Sequence, residues 1–376
     1  MKKITARQRN RDVATSILHR KQSSKRATKF NKYAEPPALL NKWFDQKRAE
    51  GLNFEAGKKR ALTIYLPEKM NFSDQYEATV IILTAIRKLT TKNSENKKQY
   101  RLKQVNFDSL LKISSSAALA LTAELSKWDD LIRSNLTPQV QNWHPNILKQ
   151  FVDLGFFDLF KRSPKIIQSN HQSNPIFVKY IKGTCGDSSK ARQLKEELQH
   201  VIGDRISKWT FLHSGLTEAV TNVSHHAYPN HKRLKTSDKN WYLTGAYDKD
   251  KQELKISFYD QGIGIPKSLP TSEVWEKVLG FLARLGLAQR ALDSALLKAA
   301  MEIDRTSTGE SDRGKGLQDL LEFINQRGEG YLSVVSQRGL YRFSLKNDKK
   351  QSKTHSFKNP LLGTLIIWNV SLAQSS

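Results

Sequence analysis

Two residues four apart, Glu218 and Asn222 in the run Leu216-Thr-Glu-Ala-Val-Thr-Asn-Val-Ser-His-His226, share one face of a helix. A carboxylate can polarise a hydroxyl or water, and an amide carbonyl is a hard oxygen donor for Mg²⁺, so the pair suits phosphoryl transfer. Alone, the same spacing describes a solvated polar face, and what lies downstream decides between the two. Asp260-Gln-Gly-Ile-Gly-Ile-Pro266 follows a strand-like stretch. Its glycines let backbone approach a planar ligand, and its Asp can accept from an exocyclic amine. Asp312-Arg-Gly-Lys-Gly-Leu317 precedes a helical run, which would set free N–H groups, a helix N-terminus and the charge of Lys315 beside phosphate. In Gly363-Thr-Leu-Ile-Ile-Trp368 a threonine opens an apolar strand and can hydrogen-bond toward the same pocket.

The elements that must carry these groups are legible as periods. Residues 191–206 and 211–228 read as helices, the second bearing Glu218 and Asn222. Residues 241–248 and 253–259 alternate as a hairpin about a Lys/Asp-rich turn. Residues 272–303 are helical in character, 318–325 helical, 328–344 a further hairpin and 363–370 a last strand. Residues 305–311, rich in Thr, Ser and Gly, read as a loop.

The succession EAVTNVSHH, DQGIGIP, DRGKGL and GTLIIW resembles the N box, G1 box, G2 box and closing strand of the GHKL, or Bergerat-fold, ATP-binding superfamily over residues 190–370. The match is closest to the anti-sigma-factor serine kinases, whose N box likewise reads Glu-Ala-Val-Thr-Asn with His four residues on. The resemblance implies ATP and Mg²⁺ as cofactors and assigns roles. Glu218 would be catalytic base and Asn222 the Mg²⁺ ligand, with His226 facing phosphate. Asp260 would accept from adenine, with Gly262, Gly264 and Ile265 in the close-approach loop. Arg313, Gly314, Lys315, Gly316 and Leu317 would form the phosphate loop, Thr364 would lie near adenine and Asp260, and residues 305–311 would be the mobile lid that closes over the triphosphate.

The charge is uneven. The net +26 includes 17 Lys+Arg against 5 Asp+Glu in residues 1–60, while residues 61–160 carry 12 against 10. Residues 1–36 read as a basic arm ended by Pro36-Pro37. Through residues 7–29 such an arm would attract nucleic acid, an acidic partner protein or an anionic surface. Beyond it, a strand at 61–66, a helix at 76–89, a strand at 101–107 and a helix from Ala117 outline a small α/β unit, with one more helix and a strand-like end in residues 144–159. Ser114-Ser-Ser116 is a ready helix cap. The turn Ile113-Ser-Ser-Ser-Ala-Ala-Leu119 is similar to the serine-bearing turn of STAS domains, with Ser114 in place of the family's Asp and Ala117 in place of its Gly. That resemblance makes Ser115 or Ser116 a candidate phosphoacceptor.

The expected fold class is therefore α/β, an α+β sandwich. An arm (1–36), a STAS-like domain (37–162) and a linker (163–190) that could hold a strand precede a GHKL domain (191–376), whose mixed sheet is covered by helices on one face. The expected activity is phosphoryl transfer to a Ser/Thr of a partner or STAS protein. The alternative is an ATP-gated ATPase or binding module that grips nucleic acid or a partner through the arm, with self-association compatible with either. No His is followed by an acid, which disfavours a sensor histidine kinase. Cys185, the sole cysteine, excludes an internal disulfide and reads as a core or loop thiol. No apolar run is long enough to span a bilayer, and a cytoplasmic location is expected.

Overall fold

The computed structural model describes residues 37–90, 100–128, 138–161, 164, 174–187, 189–203, 208–229, 239–272, 274–286, 289, 292–306 and 316–373. Helix α1 (Pro37–Ala49) and strand β1 (Phe54–Ala56) lead into β2 (Ala61–Tyr65), where Leu62 and Ile64 point inward on alternate positions. Helix α2 (Tyr76–Thr90) then crosses over to β4 (Arg101–Asn106), which pairs parallel with β2. Two short strands, β3 (Lys69–Met70) and β5 (Lys112–Ile113), also pair parallel and deliver the chain to α3 (Ser115–Ser126). Ser114 caps α3, its hydroxyl accepting the Ala117 N–H at 3.2 Å. Helix α4 (Pro145–Asp153) follows, and residues 156–159 form a 3-10 turn where a strand end was expected. Three buried phenylalanine rings in succession around α4, Phe151, Phe156 and Phe157, pin that turn by packing rather than by strand pairing.

The second unit is built on a six-stranded sheet: β6 (Ile176–Phe177), β7 (Ile181–Thr184), β8 (Asn240–Asp248), β9 (Glu253–Asp260), β10 (Gly330–Lys346) and β11 (Lys349–Ser371). Its order is β10-β11-β9-β8-β6, with β7 also pairing β8, and every described pairing in it is antiparallel rather than mixed. Residues 328–344 do not make a hairpin of their own. From Gly330 onward they belong to one long strand whose partner is β11, because the two-residue turn lies at Asn347 and Asp348, both in the left-handed region. The stretch 272–303 divides into α8 (Trp275–Leu282) and α9 (Asp293–Thr306), preceded by the single turn α7 (Ile265–Ser268).

Both faces of the sheet are covered, where helices on one face were expected. On the first face α5 (Gln193–Ile202), α6 (Trp209–Asn222) and α10 (Gly316–Arg327) pack on Trp241, Leu254, Ile256, Phe258, Ile366 and Trp368. On the second, residues of alternate parity, Tyr242, Ala246, Tyr259, Leu365 and Ile367, join the same core as α2 and α3. The N-terminal unit thus supplies the layer that closes the sheet. Among the described residues no helix is long and apolar enough to cross a membrane.

Candidate functional site

Period two along β9 and β11 decides where the polar groups lie. Asp260 has the parity of Leu254, Ile256 and Phe258, and Thr364 that of Ile366 and Trp368, so both sit on the face that carries α6. They are register partners across the two strands, and both are buried. The Gly262 N–H donates to Asp260 Oδ1 at 2.7 Å and the Thr364 hydroxyl also supports the carboxylate. Burial outweighs these bonds and pushes the Asp260 carboxyl up to about 6.

On α6 the expected helical face is present: Asn222 Nδ2 donates to Glu218 Oε1 at 2.7 Å, and both residues are half-buried. This bond fixes the Glu218 carboxylate and leaves the Asn222 carbonyl oxygen uncommitted to it. Partial burial raises the Glu218 pKa; the Asn222 bond opposes that, and the nearby Asp319 carboxylate adds to it. Helix α6 can sit close to α10 because Gly215 has no side chain: a Cβ there would lie 2.9 Å from the Asp319 carbonyl oxygen. Ser214 donates to the Asp319 carboxylate at 3.1 Å across the same contact.

After Asn222 the helix widens into a π turn, Val223–Ala227, which contains the half-buried His226. That turn joins the two halves of the site. The Ile263 N–H donates to the Ala227 carbonyl at 2.9 Å, and a Cβ on Gly262 would stand 2.4 Å from that of Ala227. Gly262 is therefore required by close approach, and Gly264 by its φ of +82°. Ile265 opens α7 with its N–H on the Ser336 hydroxyl at 3.0 Å.

The structure thus brings Glu218, Asn222, His226, Asp260, Gly262, Gly264, Ile265 and Thr364 to one end of one face. Gly316 and Leu317 begin α10, two residues earlier than the sequence pattern suggests. Arg313, Gly314 and Lys315 lie outside the described residues, as do 307–311 of the expected lid and the basic arm at 7–29. No protein-family model and no curated protein matches this chain. The site therefore stands on its own chemistry.

Two supporting residues escaped the sequence reading. The Ser336 hydroxyl donates to the Gly363 carbonyl at 2.9 Å and lies 3.2 Å from the Thr364 hydroxyl, while Gln337 Nε2 donates to the Ile263 carbonyl at 2.7 Å. A Ser-Gln pair in an alternating strand carries no signal of such a role. Next to Asp260, the buried Gln261 has no hydrogen-bond partner for either polar atom of its carboxamide among the described residues. Cys185 is half-buried, its thiol 3.8 Å from the Val223 carbonyl, and burial raises its pKa. A separate open cleft of about 660 Å³, bordered by Lys69, Lys112, Ser114, His144 and Gln150, contains none of the candidate residues.

The STAS-derived expectation meets a steric obstacle. Ser115 and Ser116 are buried, and only Ser114 of the three is partly open, already engaged as the α3 cap with Ser116 Oγ 3.0 Å away. Moreover, α3 packs on the opposite face of the sheet from α6.

Proposed function

We propose that this face binds Mg-ATP in the manner of the GHKL superfamily and that the protein transfers a phosphoryl group to a Ser/Thr hydroxyl of a partner protein. The observation that carries the reading is the joining of two halves through one contact: the helix holding Glu218 and Asn222 ends in the π turn that seats Gly262, two residues after Asp260. The residues fit the group. Asn222 gives its N–H to Glu218 and keeps a carbonyl oxygen for a hard cation, and Gln261 is a buried amide in want of a polar partner beside Asp260.

Bound Mg-ATP would supply the phosphoryl group and a cation to offset its charge. The chain's part is positional and electrostatic. Asp260, with Thr364 behind it, accepts from an exocyclic amine. Gly262 and Gly264 admit a flat ring against backbone. Glu218, made more basic by partial burial and held by Asn222, takes the proton of an incoming hydroxyl. Ser115 and Ser116 lie buried across the sheet, which supports an acceptor hydroxyl on a partner chain over either of these two.

The test is label transfer from γ-labelled ATP with Mg²⁺, using the wild-type protein, Glu218→Gln and Asn222→Ala, with partner proteins pulled from the source cell as acceptors. Glu218→Gln should keep nucleotide affinity while phosphoryl transfer falls by on the order of 10²–10⁴-fold, the usual worth of a positioned base. Asn222→Ala should lose the Mg²⁺ dependence of nucleotide binding. ATP binding indifferent to Asn222 and Asp260 substitutions would overturn the reading.

A further inference from the structure

Beyond the register shifts at Ser336–Gly339 the β10–β11 hairpin becomes a two-stranded ribbon, and its two faces differ in kind. Tyr341, Phe343 and Leu345 are buried in the core of the first sheet face. Ser352 and Ser356 reach α9 from the other strand, bonding Glu302 at 3.2 Å and Ser294 at 2.7 Å. The outward face holds Arg342, Ser344 and Lys346 on β10, opposite Lys353, Gln351 and Lys349 on β11. Arg342 therefore stands directly across from Lys353, and Lys346 from Lys349. Between Leu340 and Lys358 the only acid is Asp348.

Like charges placed directly opposite on a sheet oppose pairing of the strands. Here two such pairs follow one another, and all three lysines are exposed, with no ion-pair partner among the described residues. The ribbon is held in shape regardless, by its turn at Asn347-Asp348 and by its buried face. Arg342 is oriented as well, its Nε on the Ser333 hydroxyl at 2.8 Å and its guanidinium 4.7 Å from the Tyr331 ring. A preformed cationic ladder whose only acid along the hairpin is Asp348 at the turn is complementary to a regular polyanion.

The neighbours of the cations narrow the class. None of Arg342, Ser344, Lys346, Lys349, Gln351 and Lys353 is itself aromatic or apolar, and the Tyr331 ring beside them is already covered by the Arg342 guanidinium, so these six side chains offer unpaired bases no free ring and a lipid surface no apolar group. His355 and Phe357 further along are occupied with each other, and Phe357 stacks on Tyr76. Serine and glutamine between lysines are phosphate-contacting types, and a two-stranded ribbon fits the major groove of B-form DNA. We propose that the outward face of this ribbon docks duplex DNA through its phosphates. This inference does not depend on the nucleotide reading, and it assigns the contact to an ordered hairpin far in sequence from the basic arm.

Binding of the full chain to a labelled short duplex of mixed sequence, followed by fluorescence anisotropy across a salt series, tests it. Lys346→Gln, Lys349→Gln and Lys353→Gln combined should weaken binding at every sequence and flatten the dependence of log affinity on log salt by about 0.9 per cation, roughly 2.7 in all. The variant should melt at or above the wild-type temperature, since it removes opposed charges. If it melts lower, Lys353→Gln alone is read instead, with an expected flattening of about 0.9. A slope unchanged by the ribbon variants, or lost wholly on replacing Arg7, Arg9 and Arg11 by Gln, overturns the proposal. So does tighter binding of the corresponding single strand, or equal competition by polyglutamate or by phosphatidylserine vesicles.

Discussion

Asp260 is the residue at which stability and ligand reading pull apart. Its carboxyl is pushed up to about 6 in the fold, against about 3.9 for an Asp in an unfolded chain. The folded form therefore holds the proton more tightly, so the contribution favours folding below about pH 4 and is lost as pH rises through about 6. At pH 7 the ionised carboxylate costs the fold on the order of 3 kcal/mol, two pKa units at 1.36 kcal/mol each. Asp260→Asn keeps the shape and the Gly262 contact. It should raise stability at pH 7 by about 1–3 kcal/mol and change little at pH 4, as read by urea unfolding at the two pH values. The same substitution should weaken adenine-nucleotide binding, and wild-type binding should fall as pH drops below about 6. A variant both more stable and equally able to bind would remove Asp260 from the pocket.

At the scale of elements, glycine marks where two backbones must touch. Gly363 has φ of +110°, and a Cβ on it would lie 2.0 Å from the Asp260 carbonyl oxygen. Gly280, in α8, has nothing within 4 Å of such an atom. Gly363→Ala should thus lower stability by about 3 kcal/mol or more, and Gly280→Ala should gain up to about 1 kcal/mol from helix propensity, both measurable by thermal melting. These contrasts also show what a sequence reveals. Glu218 with Asn222, the strands ending at Asp260 and the cap at Ser114 were legible because period and capping are local. The single turn at Asn347-Asp348 was misplaced, since 328–344 alternates as well in one strand as in two. Ser336 and Gln337 were invisible because their partners, Gly363 and Ile263, are 27 and 74 positions away. The second covered face was equally hidden. Tyr242, Tyr259 and Leu365 read as strand residues, and nothing local says that α2 and α3 are what buries them.

That second face gives the whole molecule its unity. Arg87 of α2 donates from Nε to Glu124 Oε2 of α3 at 2.8 Å and from a terminal nitrogen to Glu124 Oε1, and it reaches the Tyr259 hydroxyl at 2.7 Å. The Tyr259 hydroxyl lies 2.8 Å from Glu124 and 3.0 Å from the Leu362 carbonyl, so the N-terminal unit grips the residue that precedes Asp260. Burial pushes the Glu124 carboxyl upward, but the Arg87 charge and hydrogen bonds outweigh it and hold the carboxyl below its ordinary value. A second contact lies at the strand irregularity, where Tyr76 stacks on Phe357 and donates toward the Gln337 and Asn359 carbonyls, while the Glu77 carboxylate accepts the Lys358 and Asn359 N–H groups at 2.7 and 3.0 Å. Gln337 in turn holds the loop of Gly262 and Gly264. With apolar core and polar clasp both continuous between the N-terminal unit and the second face of the sheet, the two units should unfold together. Arg87→Met should leave Glu124 as an uncompensated buried charge and destabilise by about 3–5 kcal/mol, whereas Arg87→Met with Glu124→Leu should recover most of that loss. Urea unfolding followed by tryptophan fluorescence and by far-UV circular dichroism should give coincident transitions in the wild type. Separate transitions, or a single variant as stable as the double, would mean that the N-terminal unit only rests on the sheet and that its clasp on Tyr259 contributes nothing to the pocket beyond.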